Sequence, residues 1–168
     1  MDNPHSEFNI NFYNMAQNGD LEGLENAIES QPNFITKKLM TEAFYKCCLS
    51  HKVMGQHENC LNLFLRKKAD IDAINRETGL SPLMVCCQKG CSDLVQFLLN
   101  NSAYPNVSNR SDKKTALHWA IDTNSGENTN IVSMLLEKTR CNVNQMSSDG
   151  YTPLALALDR SRQETIKL

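Results

Sequence analysis

Seven cysteines and four histidines are the residues of this 168-residue chain best suited to holding a metal or supplying a nucleophile. Zinc needs four converging ligands, and a reactive thiol needs a base within hydrogen-bond reach, so spacing decides whether either chemistry is possible. His5, His51, His57 and His118 are scattered, with no H-E-x-x-H and no nucleophile motif beside any of them. Cys87 and Cys91 stand four apart, but Gly90 lies between them where a helix should end. No paired C-x-x-C and no phosphate-cradling G-x-G-x-x-G or G-x-x-x-x-G-K-[ST] is present. Glu22, Glu25 and Glu29 recur at helical spacing, which reads as a solvated helix face. The expectation is a chain with no catalytic residue, no cofactor and no metal.

The cysteines have a simpler explanation. Cys47-Cys48 and Cys86-Cys87 fall at positions that Ala120 and Ala157 occupy further along, and Cys60 lies in an apolar stripe with Leu61, Phe64 and Leu65. A free cysteine behaves as a small apolar side chain, so these are expected to be reduced packing residues. Net charge is −2, which indicates neither a nucleic-acid footprint nor a polybasic membrane patch. There is no apolar run of membrane-spanning length, and the first eleven residues are polar and contain Pro4. No membrane insertion is expected, and the residence expected is cytoplasmic or nuclear.

The elements that position these residues are written several times over. Gly79-Leu80-Ser81-Pro82-Leu83, Lys114-Thr115-Ala116-Leu117-His118-Trp119-Ala120 and Gly150-Tyr151-Thr152-Pro153-Leu154-Ala155-Leu156-Ala157 are versions of one segment. Ser81 to Thr115 is 34 residues, Thr115 to Thr152 is 37, and Glu42 stands 39 before Ser81. Self-similarity at a period of about 33 residues predicts a fold that grows by stacking copies.

In the clearest copy Pro82 opens a short helix at the one position where a missing N–H is harmless, and Gly90 ends it. Ser92 is placed to cap a second helix reaching Asn100, with Leu94, Val95, Leu98 and Leu99 on its apolar face. Cys60-Leu61-Asn62-Leu63-Phe64-Leu65 and Ile131-Val132-Ser133-Met134-Leu135-Leu136 repeat that second helix. Extended fingers follow, each ending at the next copy of the signature. Five units are expected in one domain over 1–168, at about 9–39, 40–78, 79–112, 113–149 and 150–168. Glu164 is expected to begin a second helix in the last unit, which stays incomplete, so the sequence reads as part of a longer array. Residues 51–59 and 123–130 read as loop insertions between first and second helices.

On these residues the chain resembles the ankyrin-repeat proteins from about Ile10 to Leu168. The resemblance implies an all-α repeat solenoid of helix-turn-helix units joined by β-hairpin-like fingers. It also implies a hydrogen-bonding role for His118 within the turn, since His118 alone keeps the family's signature histidine, with Met84 and Ala155 in the other copies. Lys113 replaces the finger glycine seen as Gly79 and Gly150, and Glu42-Ala43 replaces the usual Thr-Pro. Trp119 is expected in the core.

The family's partners dock on the concave side, so the resemblance assigns contacts residue by residue. Finger tips are Arg76 and Glu77, then Arg110 and Asp112, then Ser148. Finger bases are Leu80, Lys114 and Tyr151, and first-helix ends are Gln88 and Lys89, Asp122, and Asp159. Leu80 and Tyr151 are apolar or aromatic anchors at positions expected to be exposed, beside a basic cluster of Arg76, Arg110, Lys113 and Lys114. The function expected is a non-catalytic protein-protein interaction module or scaffold that binds a partner peptide or folded domain and no small-molecule substrate. An alternative is the regulatory or substrate-recruiting N-terminal region of a larger enzyme, such as a ubiquitin ligase or acyltransferase. Nucleic-acid binding through the basic finger is a lesser alternative.

Overall fold

The computed structural model describes residues 4–50, 54–123, 128–138 and 140–166. They form two compact units, Met1–Ala73 and Ile74–Leu168. Regular structure among the described residues is helical; the one β-bridge joins Ser108 and Thr115.

The first unit holds α1 (Pro4–Asn18), α2 (Leu21–Ser30), a 3-10 turn (Pro32–Phe34), α3 (Lys37–Leu49) and α4 (Met54–Arg66). Gly19 adopts φ 72° after α1, and the Asp20 carboxylate accepts the Gly23 N–H at 2.9 Å to start α2. Leu24 is fully buried, while Glu22, Glu25 and Glu29 are exposed along α2. Phe8, Phe12, Phe34 and Phe64 pack ring to ring, with centroids 5.2 to 6.3 Å apart.

Two boundaries differ from expectation here. Thr36 caps α3 through a 3.1 Å bond from the Leu39 N–H, so this helix begins at Lys37 and Glu42 lies inside it. Glu42 therefore starts no helix; its carboxylate accepts the Tyr13 hydroxyl of α1. Residues 54–59, expected as loop, are the first turns of α4. Burial explains the longer helix: His57 is enclosed, and its Nε2 meets the Gln17 carbonyl at 3.1 Å. His51 to Val53 lie outside the described residues.

The second unit holds α5 (Pro82–Gln88), α6 (Ser92–Asn100), α7 (Ala116–Asp122), α8 (Asn128–Lys138) and α9 (Pro153–Ile166). First helices α5, α7 and α9 stack in sequence, and α8 stacks on α6. Leu83, Met84, Leu98, Leu117, Ile131 and Leu135 form the core of this stack. Asn106 staples consecutive copies, its amide donating to the Arg140 carbonyl at 2.8 Å and accepting the Asn142 N–H at 2.6 Å.

Helix starts follow the repeated signature. Ser81 and Thr152 accept the N–H groups of Met84 and Ala155, each at 3.3 Å. Gly90 ends α5 with φ 71°. Cys91, not Ser92, is the N-cap of α6; Ser92 is already helical, and no side chain caps that end. The second helix expected at Glu164 is not formed, because α9 continues unbroken from Pro153 to Ile166. In the fourth copy, Asn128 to Asn130 open α8, and residues 124–127 lie outside the described set.

Cys47, Cys48, Cys60, Cys86 and Cys87 are buried and unbridged. Burial pushes the Cys60 thiol up to about 11 and that of Cys87 well above its ordinary value, as suits packing residues rather than nucleophiles.

Lys113 carries a left-handed backbone, φ 53°, where the neighbouring fingers use Gly79 and Gly150 at 70° and 82°. A side chain in that region costs about 1 kcal/mol. Lys113→Gly is therefore expected to leave stability unchanged or raise it by up to about 1 kcal/mol in urea denaturation, the unfolded chain's added freedom offsetting part of the gain. A clear loss of stability would show that the Lys113 side chain does more than tolerate the turn.

Candidate functional site

Each finger of the second unit is held closed by one polar side chain at its root. Asn75 Oδ1 accepts the N–H groups of Glu77 and Thr78 at 3.0 Å, and the Asn75 N–H reaches the Leu80 carbonyl at 3.0 Å. In the next finger Asn109 Oδ1 accepts the Lys114 N–H at 2.8 Å, and in the third Ser147 Oγ accepts the Tyr151 N–H at 3.2 Å. These side-chain-closed turns, with backbone bonds from Asn75 to Leu80, Asn109 to Lys114 and Ser147 to Tyr151, are the hairpin-like fingers expected. The Ser148 N–H donates to the Asp112 carbonyl at 2.7 Å, so the second and third fingers are tied at their tips.

With the turns bonded internally, the tips project. Arg76, Glu77, Arg110 and Ser148 are exposed, and Asp112 is half-buried. Gln88 is exposed at the end of α5, Lys89 is half-buried at its C-cap, and Asp159 is half-buried on α9. Lys113 is exposed beside Arg110.

The three finger bases part company. Tyr151 is 39% exposed, as expected of an anchor. Leu80 is not: its side chain is 6% exposed. The hydrogen bond from Asn75 to its carbonyl, and its own N–H donating to Thr78 Oγ1 at 3.3 Å, hold the backbone against the finger and leave the side chain in the core. Leu80 is framework rather than a contact residue.

Lys114 is also reassigned. Its Nζ pairs with Asp122 Oδ2 at 2.8 Å and sits 5.1 Å from the centre of the Trp119 ring. Arg160 of α9 holds the other Asp122 oxygen. Side chains of Lys114 and Asp122 are only 16% and 15% exposed. Burial alone would push the Asp122 carboxyl up, but hydrogen bonds and charges from Lys114 and Arg160 outweigh it, and the group titrates below its ordinary value. The basic cluster thus loses Lys114 and retains Arg76, Arg110 and Lys113 as exposed cations.

Trp119, expected in the core, is half-buried. Val85 and Leu156 fill the same position in the adjacent copies and are buried, whereas the indole lies beneath the Lys114 ammonium. No helical spacing signalled the Lys114–Asp122 pairing, because Lys114 lies in the finger ahead of α7, and Arg160 and Trp119 had no local signal either.

His118 performs the role its resemblance implies. Thr115 donates its N–H to Nδ1 at 3.2 Å, which leaves Nε2 protonated to donate to the Tyr151 carbonyl at 3.2 Å. Burial holds the imidazole below its usual range, and the nearby Lys114 charge acts in the same sense. One ring therefore caps α7 and fixes the backbone of the exposed Tyr151 in the following copy. Among the described residues no cluster of His, Cys, Asp or Glu is arranged to hold a metal.

The family model described as Ankyrin repeats (3 copies) matches residues 12–109 and 102–168. Ankyrin repeats are protein-interaction modules. A palmitoyltransferase of Danio rerio, ZDHHC17, is 37% identical over 82 residues, which is 48% of this chain and 13% of that protein. The chain thus spans a small fraction of this relative's length.

Proposed function

Since the chain belongs to the ankyrin-repeat family, we propose that it is a non-catalytic protein-binding module which holds a peptide or domain against the fingers and first-helix ends of residues 74–168. The observation that carries the reading is the set of tips left outward once Asn75, Asn109 and Ser147 have closed the fingers. Arg76, Arg110 and Lys113 are exposed cations there, and Tyr151 supplies an aromatic surface on a backbone fixed by His118. Arginine beside an exposed aromatic favours an acidic, partly apolar segment. The proposed residence is the cytosol or nucleus.

The test is affinity capture with mass spectrometry, using wild type and an Arg110→Glu, Tyr151→Ala double variant, followed by titration of the recovered partner. The double variant is expected to bind at least about tenfold more weakly, as loss of two interface anchors implies. Equal affinity in both proteins sinks this surface.

A second reading makes the chain the substrate-recruiting region of a larger enzyme such as an acyltransferase, which the 37% identity with the palmitoyltransferase favours. Sequencing the transcript on both sides of the segment, with a catalytic domain found or not found in the same reading frame, decides it. The nucleic-acid alternative is weakened by the capture of Lys114 on Asp122.

A further inference from the structure

One pair of side chains outside the fingers is placed for chemistry that packing leaves unused. Gly90 ends α5 with two backbone bonds: its N–H donates to the Cys87 carbonyl at 3.2 Å, and the Cys91 N–H reaches back to the Cys86 carbonyl at 3.0 Å. In a helix cap of this kind the side chains joined by the outer bond pack against each other. Here both are thiols. The same bond after α1 runs from Asp20 to Met15, so the pairing comes from the residues of this copy and not from the cap itself.

The backbone fixes the separation. With the amide and carbonyl 3.0 Å apart, standard bond lengths hold the two α carbons within about 7 Å. A disulfide spans about 4.4 to 6.8 Å between α carbons, so the cap already stands at bridging distance.

Access differs between the two sulfurs. Cys86 is fully buried on α5, whereas Cys91 is half-buried ahead of α6. The Cys91 Sγ donates to the Lys89 carbonyl at 3.9 Å, a weak bond that one side-chain rotation gives up. One thiol is therefore reachable from solvent, and the other lies behind it. Burial, and then the neighbouring Cys86 sulfur, push the Cys91 thiol above its ordinary value. Exchange at Cys91 is accordingly slow at neutral pH and quickens as pH rises.

We propose that Cys86 and Cys91 form a reversible oxidation site, which closes a disulfide across the end of α5 in the presence of a low-molecular-weight disulfide. The Cys91 thiolate attacks one sulfur of that molecule and expels the other as a thiolate, leaving a mixed disulfide on Cys91. Cys86 gives its proton to solvent and attacks the Cys91 sulfur, expelling the second thiolate. Two protein thiols are oxidised, and the small disulfide is reduced to two thiols that take up the two protons. The bridge ties the turn that carries Gln88 and Lys89, and it stands independently of the finger-binding proposal.

The test treats the intact folded chain with excess oxidised glutathione, alkylates the remaining thiols, cleaves at Lys89 and weighs the peptides. Expected are two peptides still joined from Cys86 to Cys91, two hydrogens lighter than their reduced forms, with Cys87 alkylated. Cys86→Ala places there the residue that Ala120 and Ala157 supply in later copies, so the fold is kept. That variant is expected to stop at a lasting glutathione adduct on Cys91. The bridged chain is expected to unfold in urea with an equilibrium constant about tenfold smaller than the reduced chain, because a short closed loop restricts the unfolded state. A folded chain that stays reduced, or that collects only glutathione adducts, overturns the proposal. So does a bridge between other cysteines, or one that leaves stability in urea unchanged or lower.

Discussion

His118→Ala is expected to destabilise residues 74–168 by about 3 kcal/mol, the sum of a buried cavity and two broken hydrogen bonds. The side chain is fully enclosed, and its removal leaves the Thr115 N–H and the Tyr151 carbonyl without the partner they use. Unfolding in urea, followed through Trp119 in the same helix, measures the loss. A change below about 1 kcal/mol would mean that water replaces the ring without penalty. The pH dependence has a fixed sign. A base whose folded pKa lies below its unfolded value of 6.5 binds more protons when unfolded, so stability is complete above 6.5 and declines as pH falls toward the lowered folded value. That slope should vanish in the alanine variant.

Asp122→Ala is the second large effect, expected to cost about 2 kcal/mol because it leaves two cations, one of them mostly buried, facing each other without a counter-charge. Lys114 and Arg160 both contact this carboxylate, one from the finger base and one from α9. Arg160 is 39% exposed, and solvent screening there keeps the figure below that of a fully buried pair. An acid with a depressed folded pKa stabilises above its unfolded value of 3.8, and the contribution is lost as pH falls through the folded value. Wild type should therefore lose stability on acidification below about 4 more steeply than Asp122→Ala. Parallel acid profiles would show that the triad contributes nothing.

The framework of the second unit was readable because it rests on local rules. Pro82 at a helix start, Gly90 at a helix end and the finger glycines Gly79 and Gly150 each follow from backbone constraints within a few residues. The first unit was read less well. Its α3 is capped six residues ahead of Glu42, and α4 begins inside a stretch of polar residues, since His57 is drawn inward by the Gln17 carbonyl 40 residues away. Nothing within a helical turn of His57 signals that bond.

The finger bases show the limit most directly. Leu80, Lys114 and Tyr151 occupy one position in three copies, and sequence alone set their register and the repeat period, with the role of His118 implied by the family resemblance. Tertiary structure decided their fates: Leu80 turns into the core, Lys114 is held by Asp122 over Trp119, and Tyr151 stays exposed. The reason is physical. Helix starts and turns depend on dihedral and hydrogen-bond preferences of adjacent residues, whereas exposure depends on what the neighbouring copy, some 34 residues away, places against the side chain.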